Sequence, residues 1–211
     1  MRLLDLFCGA GGAAMGYHRA GFEVVGVDVA PQPNYPFEFH QADALTFPLD
    51  GFDAIHASPP CQAFTAYRRR GQGVGDNYPD LIATTRARLV IAGRPWVIEN
   101  VPGAPLVAPF RLCGSSFGLD VRRHRYFESS LSLLSPPCDH GWQTPRFRQA
   151  TNRSNLRRTV EVGVYRIPLK VQREAMGIDW MTLPELSQAI PPAYTAWLGG
   201  QLRACFSEVA A

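Results

Sequence analysis

The sequence has little that would place it in a membrane or in an oxidising compartment. Its apolar runs, such as residues 89–92, are far shorter than a membrane span of about 20 residues, and no basic and apolar leader opens the chain. Its five cysteines are odd in number and widely spaced, which disfavours a disulfide framework. We therefore expect a cytoplasmic chain with a free thiol and no membrane partner.

Lysine is nearly absent as well, because Lys170 stands alone beside 20 arginines, and the net charge is only +3. The planar guanidinium of arginine can form two parallel hydrogen bonds with a phosphate or a base edge, which the ammonium group of lysine cannot. A GC-rich genome produces the same bias, however, so the composition leaves nucleic-acid binding open.

What is present is typical of one globular domain with insertions, since 46% of the 211 residues are apolar and 18% are charged. Residues 2–7 predict a strand, Gly9 and Gly11 a tight turn, residues 13–20 a helix, and residues 22–28 a second strand that ends in Asp28. Strands joined by a helix in this way are parallel. We therefore predict an α/β fold with a doubly wound, mostly parallel sheet.

The rest of the chain continues this pattern up to about residue 128. We predict a weak strand ending near Asp43, a strand over 52–57, a basic loop over 62–77, a helix over 78–92 and a strand from 95 that runs into Glu99. Residues 129–170 lose the apolar periodicity and are predicted to form a small insert, after which a final helix covers 193–206. The domain would thus comprise residues 1–128 and 171–211.

Three features carry candidate chemistry. The glycine turn followed by a helix suits a nucleotide-like cofactor, and Asp28 suits its ribose hydroxyls. A nicotinamide cofactor, or a turn that binds nothing, remains open. Cys61 follows Pro59-Pro60 at the carboxyl end of a strand, which favours a nucleophile over a small buried thiol.

The third feature is Glu99-Asn100 at the end of the next predicted strand. A carboxyl group there is expected to be partly desolvated, which raises its pKa and suits it to donating a proton. A helix cap, or an ion pair with an arginine, is the competing interpretation.

In their order, four segments resemble the motifs of the cytosine-5 DNA methyltransferase family. They are residues 5–12 (DLFCGAGG), 59–62 (PPCQ), 99–101 (ENV) and 123–125 (RHR). Residues 172–198 are similar to the last two motifs of the family, although less closely. The resemblance implies a Rossmann-like fold that binds S-adenosylmethionine and methylates cytosine in double-stranded DNA.

Residue by residue, the resemblance implies that Cys61 adds to C6 of a flipped cytosine, Glu99 donates to N3, and Arg125 holds O2. Arg123 would support Glu99, and Asn100 would fix the Cys61 loop. Asp28 would bind the ribose and Asp43 the adenine amino group. The other implied cofactor contacts are Phe7, Gly9, Ala10, Gly11, Val29, Ala44 and Pro60.

DNA contacts are expected from two arginine groups, which are Arg68, Arg69 and Arg70 in the basic loop and Arg146 and Arg148 in the insert. A solvated charge run is the alternative for the loop. The insert of about 40 residues is small for the family's recognition region, so we expect a short recognition sequence or help from a second subunit, with a monomer otherwise favoured. Methylation of transfer RNA, or DNA binding without turnover, remains an alternative function.

Two motif positions depart from the family, since Val121 replaces a glutamine and Ser187-Gln188 replace a glycine and asparagine pair. We expect no metal site. Cys138 and His140 lie close together in the sequence, but with Cys113 as the only further soft ligand they do not make up a site.

Overall fold

The computed structural model describes residues 1–64, 79–144 and 157–209. They form a seven-stranded sheet in the order β3-β2-β1-β4-β5-β7-β6. Its strands are β1 (Arg2–Leu6), β2 (Glu23–Asp28), β3 (Glu38–Gln41), β4 (Ala54–Ala57), β5 (Trp96–Asn100), β6 (Phe110–Leu112) and β7 (Arg125–Ser129). Strands β1 to β5 pair in parallel, whereas β7 runs antiparallel to both β5 and β6.

Five helices accompany the sheet in the described residues. They are α1 (Gly12–Arg19), α2 (Ile82–Ala92), α3 (Leu169–Met176), α4 (Leu183–Gln188) and α5 (Pro192–Val209). A separate pair of two-residue strands, β8 (Gln143–Thr144) and β9 (Arg157–Arg158), lies within the predicted insert. None of the described helices combines the length and apolar character that a bilayer span requires.

Successive residues of each strand point to opposite faces of the sheet, and both faces are buried. Leu3 of β1 packs with Tyr17 of α1 and Tyr194 of α5, while Leu4 faces the other side, where Leu89 of α2 covers it. Helices therefore lie on both faces, and the predicted doubly wound α/β fold is confirmed.

The last helix, α5, packs closely against the first helix, α1, because the residue at their contact is Gly16, which has no side chain. A Cβ at Gly16 would collide with Thr195 and with the carbonyl of Pro192. The Thr195 hydroxyl donates to the carbonyl of Ala13 at 2.8 Å. The end of the chain therefore supports the helix that follows the glycine turn.

Three elements of the main domain differ from the sequence prediction. Helix α2 begins at Ile82 rather than at 78. The Asp80 carboxylate accepts a hydrogen bond from the Ile82 amide at 3.0 Å and so satisfies a free amide at the start of the helix. Strands β6 and β7 were not predicted, because they are short and β7 begins in a run of arginines.

Candidate active site

The carboxyl ends of β1, β2, β4 and β5 meet at one edge of the sheet. Since β7 is antiparallel, its beginning lies at this same edge, and Arg125 is paired in register with Leu112 at the end of β6. Five elements thus bring their predicted functional residues to one side of the molecule. This is the edge at which open α/β sheets bind ligands.

The turn between β1 and α1 has an unusual backbone. Phe7, Gly9 and Gly11 have positive φ angles of 58°, 48° and 82°. The Asp28 carboxylate holds this turn, since its Oδ2 accepts a hydrogen bond from the Gly9 amide at 3.0 Å. A Cβ built at Gly9 would meet nothing within 4 Å, so open space lies beside the turn. This space lets a ligand approach the backbone closely, which fits a cofactor.

The remaining predicted cofactor residues divide into two groups. Val29 is 73% exposed and Asp43 is exposed, both at the open edge, and Ala44 is buried beside them in the apolar cluster that Phe7 contacts. Ala10 and Gly11 instead face inward. The side chain of Ala10 is buried, and its carbonyl accepts from the Trp180 indole at 2.8 Å. A Cβ at Gly11 would lie 2.8 Å from Pro36, so this glycine is required for packing.

Cys61 lies just beyond the end of β4 and is half-buried. The loop before it is held by Asn100, whose side-chain amide donates to the carbonyl of Pro59 at 2.9 Å. Burial raises the pKa of the Cys61 thiol and the nearby Glu99 raises it further, whereas Arg125 opposes the shift. The thiol is therefore held protonated in the free protein, next to a cation that stabilises its ionised form.

Glu99 is a buried residue of β5, and Arg125 is its ion-pair partner. The Arg125 Nε lies 3.1 Å from the Glu99 Oε1. Burial raises the pKa of Glu99, although the positive charge of Arg125 and a hydrogen bond from Ser58 counteract it. The expected desolvation of this carboxyl is confirmed, and strand β5 lies beside β4 as predicted.

Behind Glu99 runs a chain of hydrogen bonds that the sequence analysis missed. Ser58 bonds to Glu99, the His56 Nε2 lies 2.9 Å from the Ser58 hydroxyl, and the His56 Nδ1 lies 3.1 Å from the Tyr17 hydroxyl. Burial lowers the pKa of His56 to about 3, so the imidazole is neutral near pH 7. A neutral imidazole has one donor and one acceptor, and the consistent assignment is Tyr17 to His56 to Ser58 to Glu99.

Arg123 acts on Glu99 only through its charge, which together with that of Arg125 opposes the rise of the Glu99 pKa. Its guanidinium donates to backbone carbonyls, with Nε 2.8 Å from the oxygen of Ala189 and Nη2 2.6 Å from that of Ser187. Burial and the neighbouring Arg125 lower the pKa of Arg123. The side chain thus fixes the C-terminal end of α4, and the ion pair with Glu99 is made by Arg125.

Asp5 of β1 is fully buried behind this site, and no side chain of the described residues forms a hydrogen bond with its carboxyl oxygens. Burial raises its pKa well above the usual range, and repulsion from Asp28 adds to this shift. The folded protein therefore keeps a proton on Asp5 at pH values where the unfolded chain has lost it. Stability should consequently fall as the pH rises through that window, by up to about 1.4 kcal/mol per pH unit.

An Asp5→Asn variant has no ionisable group at this position, so its free energy of unfolding at pH 8 should be larger than that of wild type. The difference should shrink as the pH falls toward the ordinary range of an aspartate. Urea denaturation at several pH values measures it, and Asp53→Asn on the surface is the control. Parallel pH profiles for wild type and Asp5→Asn would contradict this account.

Five predicted DNA contacts, namely Arg68, Arg69, Arg70, Arg146 and Arg148, lie outside the described residues. Near Cys138 and His140 lies one more soft ligand than the sequence prediction of no metal site included, namely His124. The structure brings Cys113, His124, Cys138 and His140 together, with their ligand atoms within 4.8 Å of one another.

Comparisons with known proteins identify the family of the chain. Residues 1–105, which include Phe7, Cys61 and Glu99, match the family model described as C-5 cytosine-specific DNA methylase. The chain is 32% identical over 122 residues to two type II methyltransferases of Herpetosiphon aurantiacus. These two relatives are M.HgiDI and M.HgiGI. Each match covers 50% of the present chain, and the matched part is 38% of M.HgiDI and 94% of M.HgiGI.

The methyltransferase EhMeth of Entamoeba histolytica has the same fold, with a TM-score of 0.63 over 98% of both chains at 12% identity. This structural likeness shows the fold, whereas the family is shown by the sequence relatives. Because the match between this chain and M.HgiGI covers nearly all of M.HgiGI, the chain belongs to the C-5 cytosine-specific DNA methylase family, the DNA cytosine-5-methyltransferases.

Proposed function

We propose that this chain transfers a methyl group from S-adenosylmethionine to C5 of a cytosine in DNA, through a covalent bond between Cys61 and C6. The observation that carries this proposal is the convergence of three groups at one sheet edge. A thiol follows β4, a buried carboxyl with a raised pKa ends β5, and an arginine begins β7, with the last two only 3.1 Å apart.

Cytosine C5 is a weak nucleophile, because its electrons belong to an aromatic ring. Addition of the Cys61 thiolate at C6 removes that aromaticity, and a proton or hydrogen bond from Glu99 to N3 prevents negative charge from accumulating on the ring. Arg125 would stabilise the base through O2. S-adenosylmethionine, when bound, supplies an electrophilic methyl group that the activated carbon can accept. Loss of the C5 proton to a solvent base, expulsion of the Cys61 thiolate and return of the N3 proton to Glu99 then restore the ring.

The residues at the turn after β1 fit the cofactor. The open space beside Gly9 admits a ligand, Asp28 and Asp43 offer carboxylates, and the exposed side chain of Val29 offers an apolar surface. Asp28 already accepts two backbone amides, from Gly9 and Ala30, which orients it rigidly at this edge. We propose that these groups bind the ribose and the adenine.

Neither C5 nor C6 is accessible inside a duplex, so the base must be flipped into the pocket at a cost of a few kcal/mol. We propose that the arginines of the basic loop and of residues 129–170 hold the DNA during this step. Only the first part of that insert and its last residues belong to the described structure. Its small size favours a short recognition sequence.

The test is transfer of a labelled methyl group to duplex DNA, single-stranded DNA and transfer RNA. We expect labelling of duplex DNA and, after digestion, 5-methylcytosine as the labelled nucleoside. A clear preference for transfer RNA would overturn the substrate assignment. If no nucleic acid is labelled although the protein binds the cofactor, the chain acts as a DNA-binding relative without turnover, and the proposal is wrong.

A further inference from the structure

A cluster of four soft ligands lies beside the candidate active site and takes no part in the proposed reaction. Cys113 directly follows β6, His124 directly precedes β7, and Cys138 and His140 belong to the segment after β7. Their two sulfurs and two imidazole nitrogens all lie within 4.8 Å of one another. Residues from three separate stretches of the chain thus direct ligand atoms at a common point.

The distances within the cluster suit a tetrahedral ion. The Cys113 Sγ lies 3.2 Å from the His140 Nε2, and the Cys138 Sγ lies 3.6 Å from the His124 Nε2. With Zn–S of about 2.3 Å and Zn–N of about 2.0–2.1 Å, a tetrahedral angle places sulfur and nitrogen about 3.6 Å apart. Two of the ligand pairs thus already have nearly the spacing of a zinc site, and the pairs at up to 4.8 Å would reach it through small side-chain shifts.

The chemical types agree with the geometry. Two thiolates would balance the charge of a divalent ion, and two cysteines with two histidines form one of the common ligand sets of structural zinc. Cys113 is fully buried and the other three ligands are half-buried. The cluster holds no carboxylate ligand, which distinguishes it from the exposed acidic groups that occur commonly without a metal.

A supporting shell surrounds the cluster on the side of Cys113. The Ser115 hydroxyl donates to the Cys113 sulfur at 3.1 Å, and this hydroxyl accepts a hydrogen bond from the Asp139 amide at 3.2 Å. Asp139 lies between the ligands Cys138 and His140. Outer contacts of this kind orient the ligands of a metal.

We propose that Cys113, His124, Cys138 and His140 bind one zinc ion. Strand β7 begins with Arg125 at the sheet edge that carries the candidate active site and ends with Ser129 at the opposite edge. The chain then returns to the edge of the candidate active site, where Cys138 lies near His124. Zinc would tie this returning segment, the start of the insert, to the ends of β6 and β7. The tie would also hold the beginning of β7, from which Arg125 reaches Glu99.

The experiment measures metal in the full chain, purified without chelators from cells grown with added zinc. We expect about one zinc per chain in wild type, less than about a tenth of that in the Cys113→Ser/Cys138→Ser double variant, and an unchanged content in Cys205→Ser, since Cys205 lies on α5 away from the cluster. Cobalt in place of zinc should give the visible absorption of a tetrahedral thiolate complex. Chelation should lower the melting temperature of wild type by at least about 5 °C.

A His140→Gln variant makes the test independent of whether the double variant folds, since it keeps both cysteines and should still lose most of the zinc. Wild-type protein with no more metal than these variants, and no cobalt absorption, would overturn the proposal. So would a Cys113–Cys138 disulfide in the wild-type protein as purified from the zinc-supplemented cells. Metal content and cobalt spectra require no substrate, so these outcomes do not depend on the proposed methyl transfer.

Discussion

A Cys61→Ala variant should transfer methyl groups at least about 10⁴-fold more slowly than wild type while it keeps its fold and its affinity for the cofactor. Without the sulfur no bond to C6 can form, and C5 remains part of an aromatic ring. Cys61 is half-buried in a loop beyond β4, so loss of one sulfur atom leaves the core intact. Single-turnover transfer of labelled methyl to duplex DNA measures the loss.

The matched control is Cys205→Ala, which also removes a half-buried thiol but does so on α5. It should retain the wild-type rate. A duplex that contains 5-fluorocytosine offers a second readout, because fluorine at C5 cannot leave as the proton does and the covalent adduct is trapped. Wild type and Cys205→Ala should form this adduct. An adduct of equal yield with Cys61→Ala would show that another nucleophile attacks the base.

Replacement of Glu99 by glutamine should slow methyl transfer by about 10² to 10⁴-fold, the range expected for loss of a general acid. Glutamine keeps the shape of the side chain and can donate a hydrogen bond to N3, but it cannot transfer a proton to it. It also removes the negative charge that faces Arg125. Rates for Glu99→Gln, with the exposed Glu23→Gln as control, measure the effect.

The pH profile of the same variant separates a chemical role of Glu99 from a structural one. The Cys61 pKa is raised, so the rate should rise with pH as the thiolate forms. The Glu99 pKa is raised as well, so the protonated carboxyl persists above its ordinary range and is lost on the alkaline side, where the wild-type rate should decline. In Glu99→Gln that decline should be absent. A profile of unchanged shape at a lower rate would mean that Glu99 acts through structure alone.

Much of the fold follows from the sequence because four central strands have simple apolar patterns. Strands β1, β2, β4 and β5 are buried on both faces, and each is followed by a glycine turn or by a polar or proline-rich segment that marks the boundary. Strand β7 could not be predicted in this way. It starts at Arg125 with half-buried residues, and its place between β5 and β6 depends on pairing with strands far away in the sequence.

The candidate site was predictable where a side chain acts from the end of a strand. Cys61, Glu99 and Asn100 are in this position, and the structure brings their groups together. The partners of Arg123 were not predictable, because they are carbonyls of a turn about 65 residues further along the chain. The cluster of Cys113 and His124 was missed for a similar reason, since its ligands become neighbours only after β6 and β7 have paired.

The chain of hydrogen bonds behind Glu99 determines how that carboxyl exchanges protons. Tyr17 and His56 are fully buried, and the imidazole stays neutral, so the chain is a dead end rather than a proton wire. It orients the Glu99 carboxyl but cannot connect it to solvent on that side. The proton that Glu99 gives to N3 must therefore come back from N3 when the ring is restored, and any exchange with solvent takes place on the side where the cytosine enters.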